Sequence, residues 1–277
     1  MSEELRLRIL SSIVLIPAVV AATWFGDMAF RAVAALIGVL IYYEWSTITG
    51  LAQKSVRGNA WGWLSVVSVC ANMLFGAPDF TLPLLSGFAM TAAILALFRR
   101  VCVWLPIGIV YAGLSAVAMA AIRGNDAVGF GAMIFVFAIV WSTDILAYFV
   151  GRAIGGPKLA PRISPGKTWS GAIGGTIAGI LAGLAVTLSI LQTVSLWHVL
   201  VALLLSVSSQ IGDLFESFIK RRFGVKDSSR LIPGHGGVMD RVDGLVFACF
   251  AAFFLAILFA TTDFQSVDSL GSFLFGL

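Results

Sequence analysis

The sequence predicts an all-α, polytopic transmembrane bundle of about nine spans, and three observations carry that expectation. Mean hydropathy is +0.98, with 59% hydrophobic and 12% charged residues. Apolar runs recur that are long enough, at about 17 residues or more, to cross the hydrocarbon core as helices. No long polar stretch divides them, so residues 1–277 read as a single integral-membrane domain.

Nine apolar segments follow in order, at 9–25, 28–49, 61–76, 80–98, 102–122, 128–150, 170–192, 197–219 and 244–262. The first follows MSEELRLR and imitates a signal peptide. It lacks a convincing small-x-small cleavage site, so a retained helix is expected. Glu44, near the inner end of the second segment, reads as a snorkelling or hydrogen-bonded structural acid. The third segment is short for a full span and the fifth carries Pro106, which leaves tilting, kinking or partial re-entry open for both. Residues 1–127 therefore read mainly as scaffold, and 128–262 as the site-bearing half.

Charge sets the direction of threading. With the N-terminus inside, sixteen of the eighteen basic residues fall in inner segments, and only Arg31 and Arg123 fall outside. Seven of the eight tryptophans, all but Trp141, lie near predicted helix ends, where interfacial anchors are expected. A net charge of +4 would point to nucleic acid in a soluble protein. In a membrane protein it reflects loops facing an anionic lipid surface and an anionic substrate, with no nucleic-acid partner. Cys70, Cys102 and Cys249 share no ligand-like spacing and read as small apolar packing residues.

Chemistry begins with the sixth segment. Trp141, Asp144, Tyr148 and Arg152 share a helix face, and Asp144 can act on a ligand or pair with Arg152. A Gly- and Pro-rich basic loop then leads through Ser164-Pro165-Gly166-Lys167-Thr168 into the seventh segment. There Gly171, Gly175, Gly179 and Gly183 make a stripe on which another helix can pack, within the subunit or across a dimer. The eighth segment carries Ser206, Gln210, Asp213, Ser217 and Lys220 down one face, with Glu216 beside them. A transmembrane acid costs about 2.5–3.5 kcal/mol, so Asp144 and Asp213 need a partner. For Asp213 that partner is Lys220, an arginine or a bound cation.

Polar density peaks at Ser217–Asp243, SFIKRRFGVKDSSRLIPGHGGVMDRVD, which holds six of the basic side chains and one of two histidines. Asp213 lies seven residues before Lys220 and Asp144 seven before Gly151. At a rise of about 1.5 Å per residue, both stand about 10 Å inside the cytoplasmic boundary. Asp240 and Asp243 enter the ninth segment on the same side. Acids beneath an interface with cations above them suit a divalent cation bridging carboxylates to phosphates. No Ser-His-Asp order and no zinc spacing is present. Gly166-Lys167-Thr168 imitates the tail of a P-loop, but the upstream glycine is replaced by Pro161. A phosphate monoester is already ionised near neutral pH and needs charge relief and alignment more than a strong base. The inventory fits phosphoryl or nucleotidyl transfer to a membrane-embedded phosphate.

Ser217-x-Ile219-Lys220-Arg221, Lys226-Asp227, Ser229, Ile232-Pro233, His235-Gly236-Gly237-Val238 and Asp240-Arg241-Val242-Asp243 resemble the signature of the phosphatidate cytidylyltransferases, also called CDP-diacylglycerol synthases. The resemblance extends through Asp144 to Arg152, the SPGKTW stretch and the nine-segment layout. It implies that CTP and phosphatidate give CDP-diacylglycerol and pyrophosphate, with magnesium and with potassium as its companion. It also implies a homodimer in the bilayer, in a bacterial cytoplasmic (inner) membrane, with the site open to the cytoplasm.

Residue by residue, the resemblance makes Asp213 and Asp240 the metal-binding and catalytic carboxylates, with Lys220 and Arg241 neutralising phosphate charge. Asp144, Ser164, Lys167, Thr168, Ser217, Arg221, Lys226, Arg230, His235 and Asp243 are implied to contact substrate. His235 otherwise serves as a turn residue, and Asp243 otherwise orients Arg241. Gly166 and Ser170 depart from the family pattern, in which a lysine and an acid are common at those places. Competing readings are a polyprenol or dolichol kinase, a cytidylyltransferase for archaeal ether lipid, and a secondary transporter. Transport would favour midplane polar groups and an internal repeat, and neither is found here.

Overall fold

The computed structural model describes residues 3–98, 100–260 and 270–277. Arg99, counted in the charge bias, and positions 261–262 of the ninth segment lie outside the described residues. Each apolar segment folds as a helix. In order these are α1 (Glu3–Phe25), α2 (Asp27–Ile48), the short α3 (Leu51–Lys54), α4 (Val56–Phe75) and α5 (Thr81–Leu97), the last entered by a 3-10 turn at Pro78–Phe80. Then come α6 (Trp104–Arg123) and α7 (Ala127–Ile154), a small hairpin of β1 (Lys158–Ala160) and β2 (Ser164–Thr168), and α8 (Trp169–Leu191). The chain continues through α9 (Leu196–Arg222), α10 (Met239–Ala260) and α11 (Leu270–Leu274).

The protein is an integral-membrane helical bundle. Among the described residues, 7 helices are long and apolar enough to cross a membrane. Helix α1 adds a shorter apolar stretch, Ile13–Phe25, and α4 is the remaining long helix. Pro106 causes no break. It sits in the first turn of α6, where its missing N–H has no intrahelical acceptor to lose. Helix α10 begins earlier than the hydropathy indicated, so Asp240 and Asp243 stand on its first turns rather than in the loop before it.

The chain forms two compact units. The first comprises Met1–Ala120 and Arg222–Arg241, so the signature loop groups with the front of the chain. Helix α2 is its centre. A Cβ on Gly38 would stand 2.9 Å from the carbonyl oxygen of Ala112, which shows how closely α2 and α6 approach. Trp45 is fully buried against Tyr111 and donates its indole N–H to the Trp104 carbonyl at 2.8 Å. It is therefore a core residue and not the interfacial anchor its position near a helix end suggested. Cys70 is buried, as expected, whereas Cys102 is exposed.

The second unit comprises Ala121–Arg221 and Val242–Leu277. Its glycine stripe is used within the subunit. Added Cβ atoms on Gly171 and Gly175 would each lie 2.6 Å from a carbonyl oxygen of α7, those of Ala147 and Thr143. Gly183 likewise meets Ile139 at 2.9 Å. Small residues thus let α7 and α8 touch backbone to backbone. Helix α9 joins this pair through a buried hydrogen bond of 2.8 Å between Ser206 and Thr143. Its Gln210 donates to Thr176 at 2.8 Å and to the Ala172 carbonyl at 3.3 Å. The far end is tied by His198, whose Nδ1 accepts from the Ser195 N–H at 3.0 Å and whose Nε2 meets the Phe275 carbonyl at 3.0 Å.

Candidate active site

In the first unit the signature loop is built around two carboxylates. Ile232 and Gly236 pair across a tight turn, with N–H to carbonyl bonds of 2.8 and 3.1 Å. Gly234 and Gly236 take φ values of 76° and 86°, which only glycine adopts cheaply. The chain then enters α10, where three consecutive amides need acceptors. Gly237 donates to Asp240 Oδ2 at 2.8 Å. Val238 and Met239 donate to Glu44 Oε1 and Oε2 at 2.8 and 2.7 Å. Two acids, one local and one from α2, thereby cap the helix.

Serines complete this arrangement. Ser228 donates its amide to Asp240 Oδ2 at 2.9 Å, and its hydroxyl lies 2.7 Å from the same oxygen and 3.2 Å from Glu44 Oε2. Ser229 donates its hydroxyl to Glu44 Oε1 at 2.5 Å. Glu44 is 0% exposed, and both of its oxygens are occupied by loop donors. Sequence reasoning found a hydrogen-bonded structural acid here but missed what it bonds to. A lone carboxylate in an apolar helix was the available signal.

His235 takes the turn role. Its amide donates to the Ile232 carbonyl at 2.9 Å, and its own carbonyl accepts from Arg241 Nε and Nη2 at 3.0 and 2.7 Å. The orienting group of Arg241 is thus the His235 carbonyl, where the sequence suggested Asp243. The Arg241 guanidinium is nevertheless exposed, as are the side chains of Lys226 and Arg230.

In the second unit the polar stripe of α9 meets the hairpin. Lys167, from β2, forms an ion pair with Asp213. This partner is neither Lys220 nor an arginine, the pairings the sequence offered. Lys220 instead pairs with Glu216 one turn earlier, Nζ to Oε2 at 2.7 Å, and Glu216 is 1% exposed. Arg152 donates to the Tyr148 hydroxyl at 2.8 Å on the same exposed face, and of the two readings of Asp144 the pairing with Arg152 is not the contact formed. Ser217 is half-buried and Arg221 exposed at the inner end of α9.

The hairpin is held in place at both ends. Trp169 donates its amide to the Pro157 carbonyl at 3.0 Å, and the strands align Lys158 with Thr168 and Ala160 with Ser164. Thr168 is the N-cap of α8, its hydroxyl accepting from the Gly171 amide at 3.1 Å. Ser170 donates its hydroxyl to the Gly155 carbonyl. These contacts fix the β2–α8 junction, and so the point from which Lys167 projects.

Asp213 acts electrostatically on Asp144 and on Asp243, and Lys167 opposes it at both. Three carboxyl groups thus stand within electrostatic reach of one ammonium group in a partly desolvated region. The α9–α10 contact that brings Asp243 here depends on Gly212, where any Cβ would overlap the Asp243 carbonyl oxygen and stand 2.8 Å from Phe247 Cβ. Among the described residues no group of three or more His, Cys, Asp or Glu side chains forms a ready-made metal cage. Carboxyl oxygens of this kind are the ligand type a divalent cation takes, without a complete set of them gathered here.

Comparison with known proteins identifies the family. The model of the cytidylyltransferase family matches residues 6–259. A phosphatidate cytidylyltransferase of Brucella suis is 45% identical over 268 residues, covering 95% of this chain and 97% of that protein. The phosphatidate cytidylyltransferase of Bacillus subtilis is 39% identical over 140 residues, 50% of this chain and 52% of that protein. That of Haemophilus influenzae is 44% identical over 133 residues, 46% of each.

Proposed function

The chain belongs to the cytidylyltransferase family and is an enzyme of it, and on that premise we propose that it converts CTP and phosphatidate to CDP-diacylglycerol and pyrophosphate. One observation carries the reading at the level of residues. The SPGKT hairpin pairs Lys167 with Asp213, in electrostatic reach of Asp144 and Asp243, which supports placing a cation for phosphate beside carboxyl groups for a metal ion.

An oxygen of the ionised phosphatidate phosphate attacks the α-phosphorus of CTP. A new P–O bond forms as the bond from that phosphorus to the bridging oxygen breaks, and the electron pair leaves with pyrophosphate. No strong base is required, because the nucleophile carries its charge already. The chain must instead hold polyanions together in line. Lys167, Lys220, Arg221 and Arg241 lower the repulsion between them, with Lys226 and Arg230 adding charge at the exposed loop. Lys220 is steered by Glu216, and Arg241 by the His235 carbonyl. Ser164, Thr168 and Ser217 line the approach on the hairpin and α9.

Asp213 and Asp240 are the carboxylates assigned to magnesium, with Asp144 and Asp243 supporting Asp213 by charge. When bound, a divalent cation supplies charge neutralisation for the phosphates that lysines and arginines cannot give alone. Potassium as a companion ion, a homodimeric state, nine spans and an inner-membrane location with the loop facing the cytoplasm belong to the same proposal. The charge bias supports the orientation.

Purified protein incubated with CTP, phosphatidate and magnesium tests the reaction directly. Mass spectrometry is expected to find CDP-diacylglycerol and pyrophosphate formed one for one. Absence of a cytidine-bearing lipid under conditions where the protein is folded would overturn the assignment.

A further inference from the structure

We propose that Glu44 is a positioning residue of the cytidylyl-transfer site. It acts as an N-cap supplied from a distant part of the same chain, holding the signature loop and the first turn of α10 so that Asp240 points correctly. This inference rests on the cytidylyl-transfer reading of the loop. Glu44 lies on α2, in the part of the sequence that otherwise reads as scaffold, and its role is invisible from the signature itself.

The geometry assigns both carboxylate oxygens. Oε1 accepts from Ser229 Oγ and Val238 N, and Oε2 from Met239 N, with Ser228 Oγ at 3.2 Å. An ionised acid at these amides is favoured by the partial positive charge of a helix N-terminus. Burial makes the arrangement demanding, because a buried carboxylate is stable only while its donors remain in place. Gly237 enforces the same closeness, since a Cβ there would overlap Ser228 Oγ and Glu44 Oε1. Ser228 then links the two acids, lying 2.7 Å from Asp240 Oδ2 on its other side. One oxygen of Asp240 is thus fixed by Ser228, whose hydroxyl also meets Glu44, and by Gly237, whose neighbour Val238 donates to Glu44. A rotation of α10 or a slip of the loop would break several of these bonds together.

The informative variant is Glu44→Gln, which keeps the volume but presents an NH2 group to amide donors on one side. Two measurements are made on full-length protein in detergent or lipid. Hydrogen exchange at Val238 and Met239, with and without magnesium, reads the cap itself. The magnesium concentration for half-maximal CDP-diacylglycerol synthesis reads the orientation of Asp240. Groups that orient metal ligands typically change metal affinity by roughly 10- to 100-fold when altered. Glu44→Gln is therefore expected to raise the half-saturating magnesium at least ~10-fold. It also loses exchange protection at the two amides, while the KM for phosphatidate stays near the parent value. A purely structural residue would lower the active fraction without moving the magnesium requirement, and that outcome overturns the proposal. So does a folded Glu44→Gln with unchanged protection. Should Glu44→Gln fail to fold, Ser228→Ala decides in its place: a raised magnesium requirement supports the proposal, and an unchanged one overturns it. If the parent protein makes no CDP-diacylglycerol, the functional reading falls, while the exchange experiment still tests the cap.

Discussion

The carbonyl oxygen of Asp243 occupies the place where Gly212 would carry a side chain, so α9 and α10 touch backbone to backbone one residue before Asp213. A carbonyl on a helix cannot move aside as a flexible side chain can. This backbone contact sets Asp243 beside the helix turn that carries Asp213, and the two carboxyl groups interact electrostatically.

Gly212→Ala is accordingly expected to push the helices apart at the acids. Overpacking of this kind costs about 1–3 kcal/mol. Thermal unfolding should fall measurably, and turnover should fall further than the stability loss explains. Parent-like turnover would show that the close approach is dispensable.

Lys167 is the cation that offsets Asp213 at both Asp144 and Asp243. Lys167→Ala removes the ion-pair partner of Asp213 and, on the proposed function, a phosphate contact, so KM for CTP should rise and kcat fall. A combined loss in kcat/KM of at least roughly 100-fold is expected, which corresponds to about 2.7 kcal/mol. Lys167→Arg should recover part of it. Steady-state kinetics at saturating phosphatidate separates the two constants.

The hydroxyl of Thr168 caps α8. Thr168→Val removes the acceptor and should cost about 1 kcal/mol. Thr168→Ser keeps it and should remain near parent stability. Equal behaviour of the two variants in thermal unfolding and turnover would contradict the capping role.

The nine-span orientation is tested by single-cysteine labelling with a membrane-impermeant thiol reagent on intact cells, against a parent freed of exposed Cys102. Asn125→Cys, between α6 and α7, is expected to label from outside. Lys226→Cys, in the signature loop, should label only after the cells are opened. The reverse pattern would invert the topology.

Much of the architecture is legible in the sequence because hydropathy alone specifies where helices lie in a membrane protein. Within the described residues the nine apolar segments appear as helices, and small residues at Gly171, Gly175 and Gly179 announce a close helix contact whose partner is α7. The polar stripe of α9 is likewise legible, since its spacing is that of one helix face. Partnerships between distant segments are not. Nothing local to Asp213 selects Lys167 over Lys220, because that choice depends on where the hairpin folds back. Glu44 carries no neighbouring pattern that points to residues 184 to 195 positions away. The burial of Trp45 is illegible for the same reason: nearness to a helix end says nothing about which way the indole faces.

The most direct test of the central claim follows the phosphorus. CTP labelled at its α-phosphate and, separately, at its γ-phosphate is supplied with phosphatidate to purified parent protein and to Asp213→Asn. The account predicts α-label in the lipid, γ-label only in pyrophosphate, and loss of both transfers in the variant. Label from the γ-phosphate in the lipid, or undiminished α-transfer by Asp213→Asn, would contradict it.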